Sequence, residues 1–175
     1  MTDTRDTFEG GRAGPAYDAP EKEMLTGTLD YHRATIKWKL EGLSHEQATR
    51  PMTPSDTKLL GILKHLAYVE RWWFQENFLG RACEYPWSEG GDMDADFKIF
   101  PGETIESIVA LYDAECEESR RIVAAASLDD VAAKTRRDGG HPTLRWIMLH
   151  MIEEVARHNG HADILRELID GKTGA

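Results

Sequence analysis

His65, Glu154 and His158 are the residues of this 175-residue chain whose types and spacing best suit metal chemistry. Two of them lie in Leu144 to Asp170, LRWIMLHMIEEVARHNGHADILRELID. That stretch has helix-forming composition, no internal proline, a cap at Thr143 and a stop at Gly171. At about 100° per residue, Ile147, Met151, Leu165 and Leu168 share one arc expected to face the core, and Glu154 and His158 fall inside it. A separation of four residues puts both side chains on one face, about 6 Å apart, within reach of a single ion. Burying a carboxylate and an imidazole costs several kcal/mol unless something pairs with them, and a metal ion is one such partner. His65 sits mid-way along another helical segment, on an arc with Ile62, Val69, Trp72 and Trp73. Two imidazoles and one carboxylate leave coordination positions for water or substrate, as in catalytic zinc sites; nickel, or iron with an open face, is also accommodated.

The same residues carry a plainer reading, in which Glu154 pairs with Arg157 or Arg145 and the histidines are hydrogen-bonded core residues. His150 and His161 lie at the edge of the arc, and either can replace a ligand or support one from behind, His161 being the nearer neighbour of His158. His32 and His45 read as surface residues and His141 as a loop residue. Rival sites fail on spacing. A di-iron bundle centre needs Glu-x-x-His pairs, and a zincin needs HExxH; neither occurs. No local motif supports a Ser or Cys nucleophile. Cys83 and Cys116 lack metal-finger or redox spacing and read as bystander thiols of a reducing cytoplasm.

The elements that must position these residues are helical. Met24, Leu25, Leu29, Ile36 and Leu40 recur at helical spacing over 21–40, with Gly42 as a stop. Ser44-His-Glu-Gln47 has the form of a capping box before a short turn. Ser55 or Asp56 is the expected cap of a helix over about 57–79, ending at Gly80. Residues 81–103 read as a long connection, of a kind that often covers active sites. Thr104 caps a third helix running to about Ala126, and a loop through His141 leads into the last one. Gly61 and Gly160, inside helices near the candidate ligands, allow close backbone approach or a bulge. Four long helices and no strand pattern predict an all-α four-helix bundle over 21–175, preceded by a flexible arm over 1–20.

Composition bounds the function. The net charge of −10, with no sustained basic cluster, argues against nucleic-acid binding. No apolar run approaches the ~20 residues of a membrane span, and no secretory leader is apparent.

Several motifs carry a family resemblance covering about 30–171. They are Trp38-Lys-Leu-Glu-Gly-Leu43, Leu63-Lys-His-Leu-Ala-Tyr-Val-Glu70 with Trp73-Phe74, and Leu144-Arg-Trp-Ile147 leading to His150-Met-Ile-Glu-Glu-Val-Ala-Arg-His-Asn-Gly-His-Ala-Asp163. In these the chain resembles the DinB-like (YfiT-like) four-helix metalloproteins, in an actinobacterial type. Members bind a divalent metal through one histidine of the second helix and an H-x-x-x-H pair in the last. His65 and His158 match two of these ligands, and Glu154 stands where the third is usually histidine. A glutamate there is similar to the mycothiol-dependent maleylpyruvate isomerases and the related mycothiol S-transferases. The resemblance therefore implies His65, Glu154 and His158 as metal ligands, with His161 and His150 in support. It also implies zinc (nickel or iron as alternatives) and mycothiol as cofactors, and transfer of that thiol to a small-molecule electrophile in the cytoplasm. The isomerases carry a further C-terminal domain that this sequence does not contain, which shifts the expectation toward transferase chemistry. A homodimer is compatible with the resemblance, although no exposed apolar stripe calls for one. The alternative is a non-catalytic stress protein of the same fold that holds a metal or small ligand. Trp72, Trp73 and Trp146 are candidates to line a cavity above the metal, or else plain core.

Overall fold

The computed structural model of the chain describes residues 7–85, 92, 94–136 and 139–173. Residues 1–6 of the expected arm, parts of the expected connection (86–91 and 93) and of the loop before the last helix (137–138), and 174–175 lie outside the described residues. Five α-helices run through the described chain: α1 (Glu21–Trp38), α2 (His45–Thr49), α3 (Leu59–Glu70), α4 (Ile105–Ala125) and α5 (Leu144–Asp170). The chain divides into two compact units, Met1–Glu41 with Met148–Ala175, and Gly42–Ile147. No helix among the described residues is long and apolar enough to cross a membrane.

In the first unit, α1 buries Leu29 and Ile36, and the following Leu40 is buried as well. The α5 portion buries Met151, Val155, Ala162 and Leu165. Leu168, expected on the same face, is instead 55% exposed. The buried stripe of α5 is centred on the Met151, Val155 and Ala162 side of the expected arc, and Leu168 lies at its opposite edge. Arg166 ties the two helices together. Its guanidinium donates to the carbonyls of Lys39 (2.7 Å) and Glu41 (2.9 Å), just past the end of α1, and pairs with Asp170 at 2.8 Å. The carbonyls that a helix end leaves without intrahelical partners make this region a natural anchor for a cation. Aperiodic residues 7–13, read as part of an arm, form a two-stranded hairpin, β1 (Thr7–Phe8) and β2 (Arg12–Ala13), with Phe8 opposite Arg12. Arg12 is buried, lying over the rings of Trp38 (4.4 Å) and Tyr31 (5.2 Å) and donating to Thr35 Oγ1.

In the second unit, α3 is apolar nearly all round and packs along α4; Leu59, Leu60, Ile62, Leu63, Leu66 and Phe74 are buried with Ile108, Tyr112 and Cys116. The capping box predicted at Ser44 is present, and the predicted Thr104 cap is also part of one. Ser44 and Gln47 exchange side-chain to backbone bonds, as do Thr104 and Ser107. The cap expected for α3 is not Ser55 or Asp56. Asp56 sits in a turn at φ 60°, with its amide bonded to the Thr53 carbonyl and its carboxylate to Lys58, and the helix starts two residues later than expected without a side-chain cap. Asp tolerates this left-handed conformation, which takes it out of capping geometry.

Beyond Glu70 the helix widens into a π-helical stretch, Arg71–Phe78, and stops at Gly80, which has φ 72°. Glu115 on α4 holds this stretch. One of its oxygens accepts from Arg71 Nε (3.1 Å) and Nη2 (2.5 Å), and the other from Gln75 (2.7 Å). The Asn77 side-chain Nδ2 donates to the Trp72 carbonyl at 2.9 Å, five residues back along the stretch.

Replacing Thr104 by alanine removes the acceptor for the Ser107 amide at the start of α4. It should cost about 1 kcal/mol in urea denaturation, with an unchanged slope against denaturant. Glu115→Ala strands the Arg71 cation and should cost more, about 3 kcal/mol.

Candidate functional site

Each candidate ligand is best understood inside its own unit. On α3, three residues at helical spacing, Gly61, Lys64 and His65, hold the segment that runs from the single turn Ala95–Phe97 to the start of α4. The His65 Nδ1 lies 2.6 Å from Asp96 Oδ2, and the imidazole stacks on the Phe97 ring with centroids 4.0 Å apart and planes 14° from parallel. The backbone approaches closely here because residue 61 is glycine; a Cβ on Gly61 would collide with the Phe97 carbonyl oxygen. Fully buried Lys64 completes the hold. Its ammonium contacts Glu103 at 2.8 Å, donates to the Lys98 carbonyl at 2.6 Å and lies 4.0 Å from the Phe100 ring. With a carboxylate as hydrogen-bond acceptor, the neutral His65 imidazole carries its proton on Nδ1 and its lone pair on Nε2, the tautomer a metal requires from that nitrogen.

On α5, His158 is buried and Glu154 is mostly so. His158 Nε2 lies 3.2 Å from Glu154 Oε1, and Arg157 Nη2 donates to Glu154 Oε2 at 2.6 Å. Arg145 is engaged elsewhere, paired with Asp129. His161 sets its ring edge-on to His158 at 5.4 Å between centroids. Partial burial, then neighbouring His158 and Arg157, pull its pKa below the usual imidazole value. His150 lies 3.6 Å from Glu153. His32, read as a surface residue, is half-buried on α1. Asn159 Nδ2 donates to its carbonyl at 3.1 Å, and burial lowers its pKa. Gly160, expected to permit close approach or a bulge, faces open space.

The candidate donors are His65 in the second unit and, in the first, Glu154 and His158 one helical turn apart. This donor set, two neutral imidazoles and one carboxylate, fits zinc or another borderline divalent ion.

The tryptophans divide. Trp73 is buried, Trp72 is 42% exposed, and Trp146 also reaches the surface. They still form a chain, Trp72 to Trp73 at 4.6 Å and Trp73 to Trp146 at 5.5 Å, with the Arg136 guanidinium 4.6 Å above Trp146. Trp72 also faces a 360 Å³ groove with Tyr68, Val69, Glu76, Tyr85 and Asp96. Asp96 and Lys64 were not singled out by their spacing. Asp96 lies in an aperiodic connection that offered no signal beyond its length, whereas a lysine inside LLGILKHLAY had to be buried and therefore paired.

Comparison with known proteins follows this geometry. The sequence model of the mycothiol-S-transferase family matches residues 24–171. No curated protein matches the chain.

Neither cysteine is built as a nucleophile. Cys116 is buried, and burial together with the Glu76 carboxylate pushes the Cys83 thiol pKa up. Iodoacetamide should therefore label Cys83 several-fold more slowly than free cysteine near neutral pH, and Cys116 only after denaturation, as read by intact mass.

Proposed function

Because the chain belongs to the mycothiol-S-transferase family, a member of the DinB-like superfamily, we propose that it is a metal-dependent transferase that joins the thiol of mycothiol to small electrophiles in the cytoplasm. The family match over 24–171 carries this reading, and the His65, Glu154 and His158 donor set supports it. The proposal includes the DinB-like four-helix bundle over 21–175.

His65, Glu154 and His158 would hold the ion, zinc first, with His161 and His150 in support. When bound, a divalent cation supplies a Lewis acid able to deprotonate a thiol at neutral pH. The chain's own residues prepare that chemistry. Asp96 orients the His65 ring, Glu154 contributes a negative charge that tempers the Lewis acidity of the ion, and Arg157 holds the outer oxygen of Glu154. In the reaction class implied, the thiolate sulfur bonds to an electrophilic carbon, and the leaving group departs with the electron pair. The chain's own thiols are a buried Cys116 and a Cys83 held in its protonated form, so the reacting sulfur comes from the small thiol.

The ion pair between Glu154 and Arg157 favours a second reading, in which these side chains satisfy one another and the fold binds a small ligand without turnover. Conjugation of a chlorinated aromatic or a bimane, assayed with and without mycothiol, separates the two. Turnover should require mycothiol; none, or turnover independent of the thiol, sinks the transferase reading. By elemental analysis the purified protein should carry near-stoichiometric metal, and His158→Ala should lose at least about tenfold in metal affinity. Unchanged metal content in that variant would exclude this ligand set.

A further inference from the structure

Resting on the metal reading above, we infer that Asp96 is a positioning residue: its carboxylate locks His65 in the tautomer and ring orientation that present Nε2 to a metal ion. Four observations within one unit converge on it. The Asp96 Oδ2 to His65 Nδ1 separation is 2.6 Å, short enough for a charge-assisted bond. The His65 ring is sandwiched against Phe97 at 4.0 Å, so rotation about its side-chain bonds would forfeit the stack. The turn carrying Asp96 and Phe97 is seated by the Gly61 gap, where any larger residue would strike the Phe97 carbonyl. On its far side the same segment is pinned by Lys64 to the Lys98 carbonyl and Glu103.

The second Asp96 oxygen, Oδ1, is buried with no hydrogen-bond partner among the described residues, although such groups are normally satisfied. Orienting His65 accounts for a carboxylate kept in that position. A purely structural carboxylate would be expected to use both oxygens on amides or cations, as Glu115 does with Arg71 and Gln75. Carboxylates behind metal-bound histidines fix the tautomer and raise ligand basicity, and their loss typically lowers metal affinity 10- to 100-fold.

The test uses full-length protein and three variants, Asp96→Asn, Asp96→Ala and Gly61→Ala, with two readouts. The first is zinc affinity by competition with a chromophoric chelator. Asp96→Ala should weaken it about 10- to 100-fold. Asp96→Asn, which keeps a neutral acceptor, should lie between it and wild type, and Gly61→Ala, which displaces the turn, should resemble Asp96→Ala. The second is the metal-free His65 tautomer, read from its ring nitrogen shifts by NMR above the imidazole titration range. Wild type should show Nδ1–H, and Asp96→Ala should lose that preference while its circular dichroism stays native. Wild-type zinc affinity in Asp96→Ala, or an Nε2–H tautomer in wild type, overturns the inference. Wild-type protein that binds no zinc sinks the metal reading instead, and the tautomer measurement still decides whether Asp96 governs His65.

Discussion

One face of α3 organises the second unit. Gly61, Lys64 and His65 lie three and four residues apart, so they project from the same side of the helix, and each takes hold of a different part of the 96–103 segment. Lys64 is the costliest member. An ammonium with no solvent exposure is tolerable only because Glu103, the Lys98 carbonyl and the Phe100 ring surround it. The Glu103 carboxylate also accepts from the Phe100 amide at 2.7 Å, one residue before the Thr104 cap, so the same ion pair fixes where α4 begins. The hold on His65 and the start of α4 are thus parts of one arrangement.

A second carboxylate works in the same way further along. Glu115 binds Arg71 and Gln75, one turn apart on the π-helical stretch, and between them Trp72 faces outward and Trp73 into the core. A regular α-helix with the same sequence would rotate every residue after the bulge relative to this one. Trp72 and Trp73, at the start of this stretch, begin the aromatic chain that runs to Trp146 under Arg136.

On α5 the helix period alone brings Glu154 and His158 together, and it also offers Glu154 a competing partner in Arg157, three residues away. Family membership and donor chemistry favour a role for this pair that an isolated helix would not reveal. In the proposed site a glutamate ligand would keep one more negative charge at the ion than a third histidine.

Much of this was legible in the sequence. Helical period and cap chemistry located α4, α5, the Ser44 capping box and the Thr104 cap, because those signals are local: a side chain bonding an amide three residues away, or an apolar stripe recurring every turn. The choice of His65, Glu154 and His158 as candidates rested on the same period, since polar groups on apolar arcs stand out without any knowledge of packing. What stayed hidden was long-range. Asp96 reaches His65 across 31 residues and Glu115 reaches Arg71 across 44. The π widening, the hairpin seated by Arg12 and the outward turn of Leu168 each follow from which neighbours are present, and no local pattern encodes them. Local hydrogen bonding and periodicity can be read one helix at a time, whereas the partner of a buried charge is chosen only when distant segments meet.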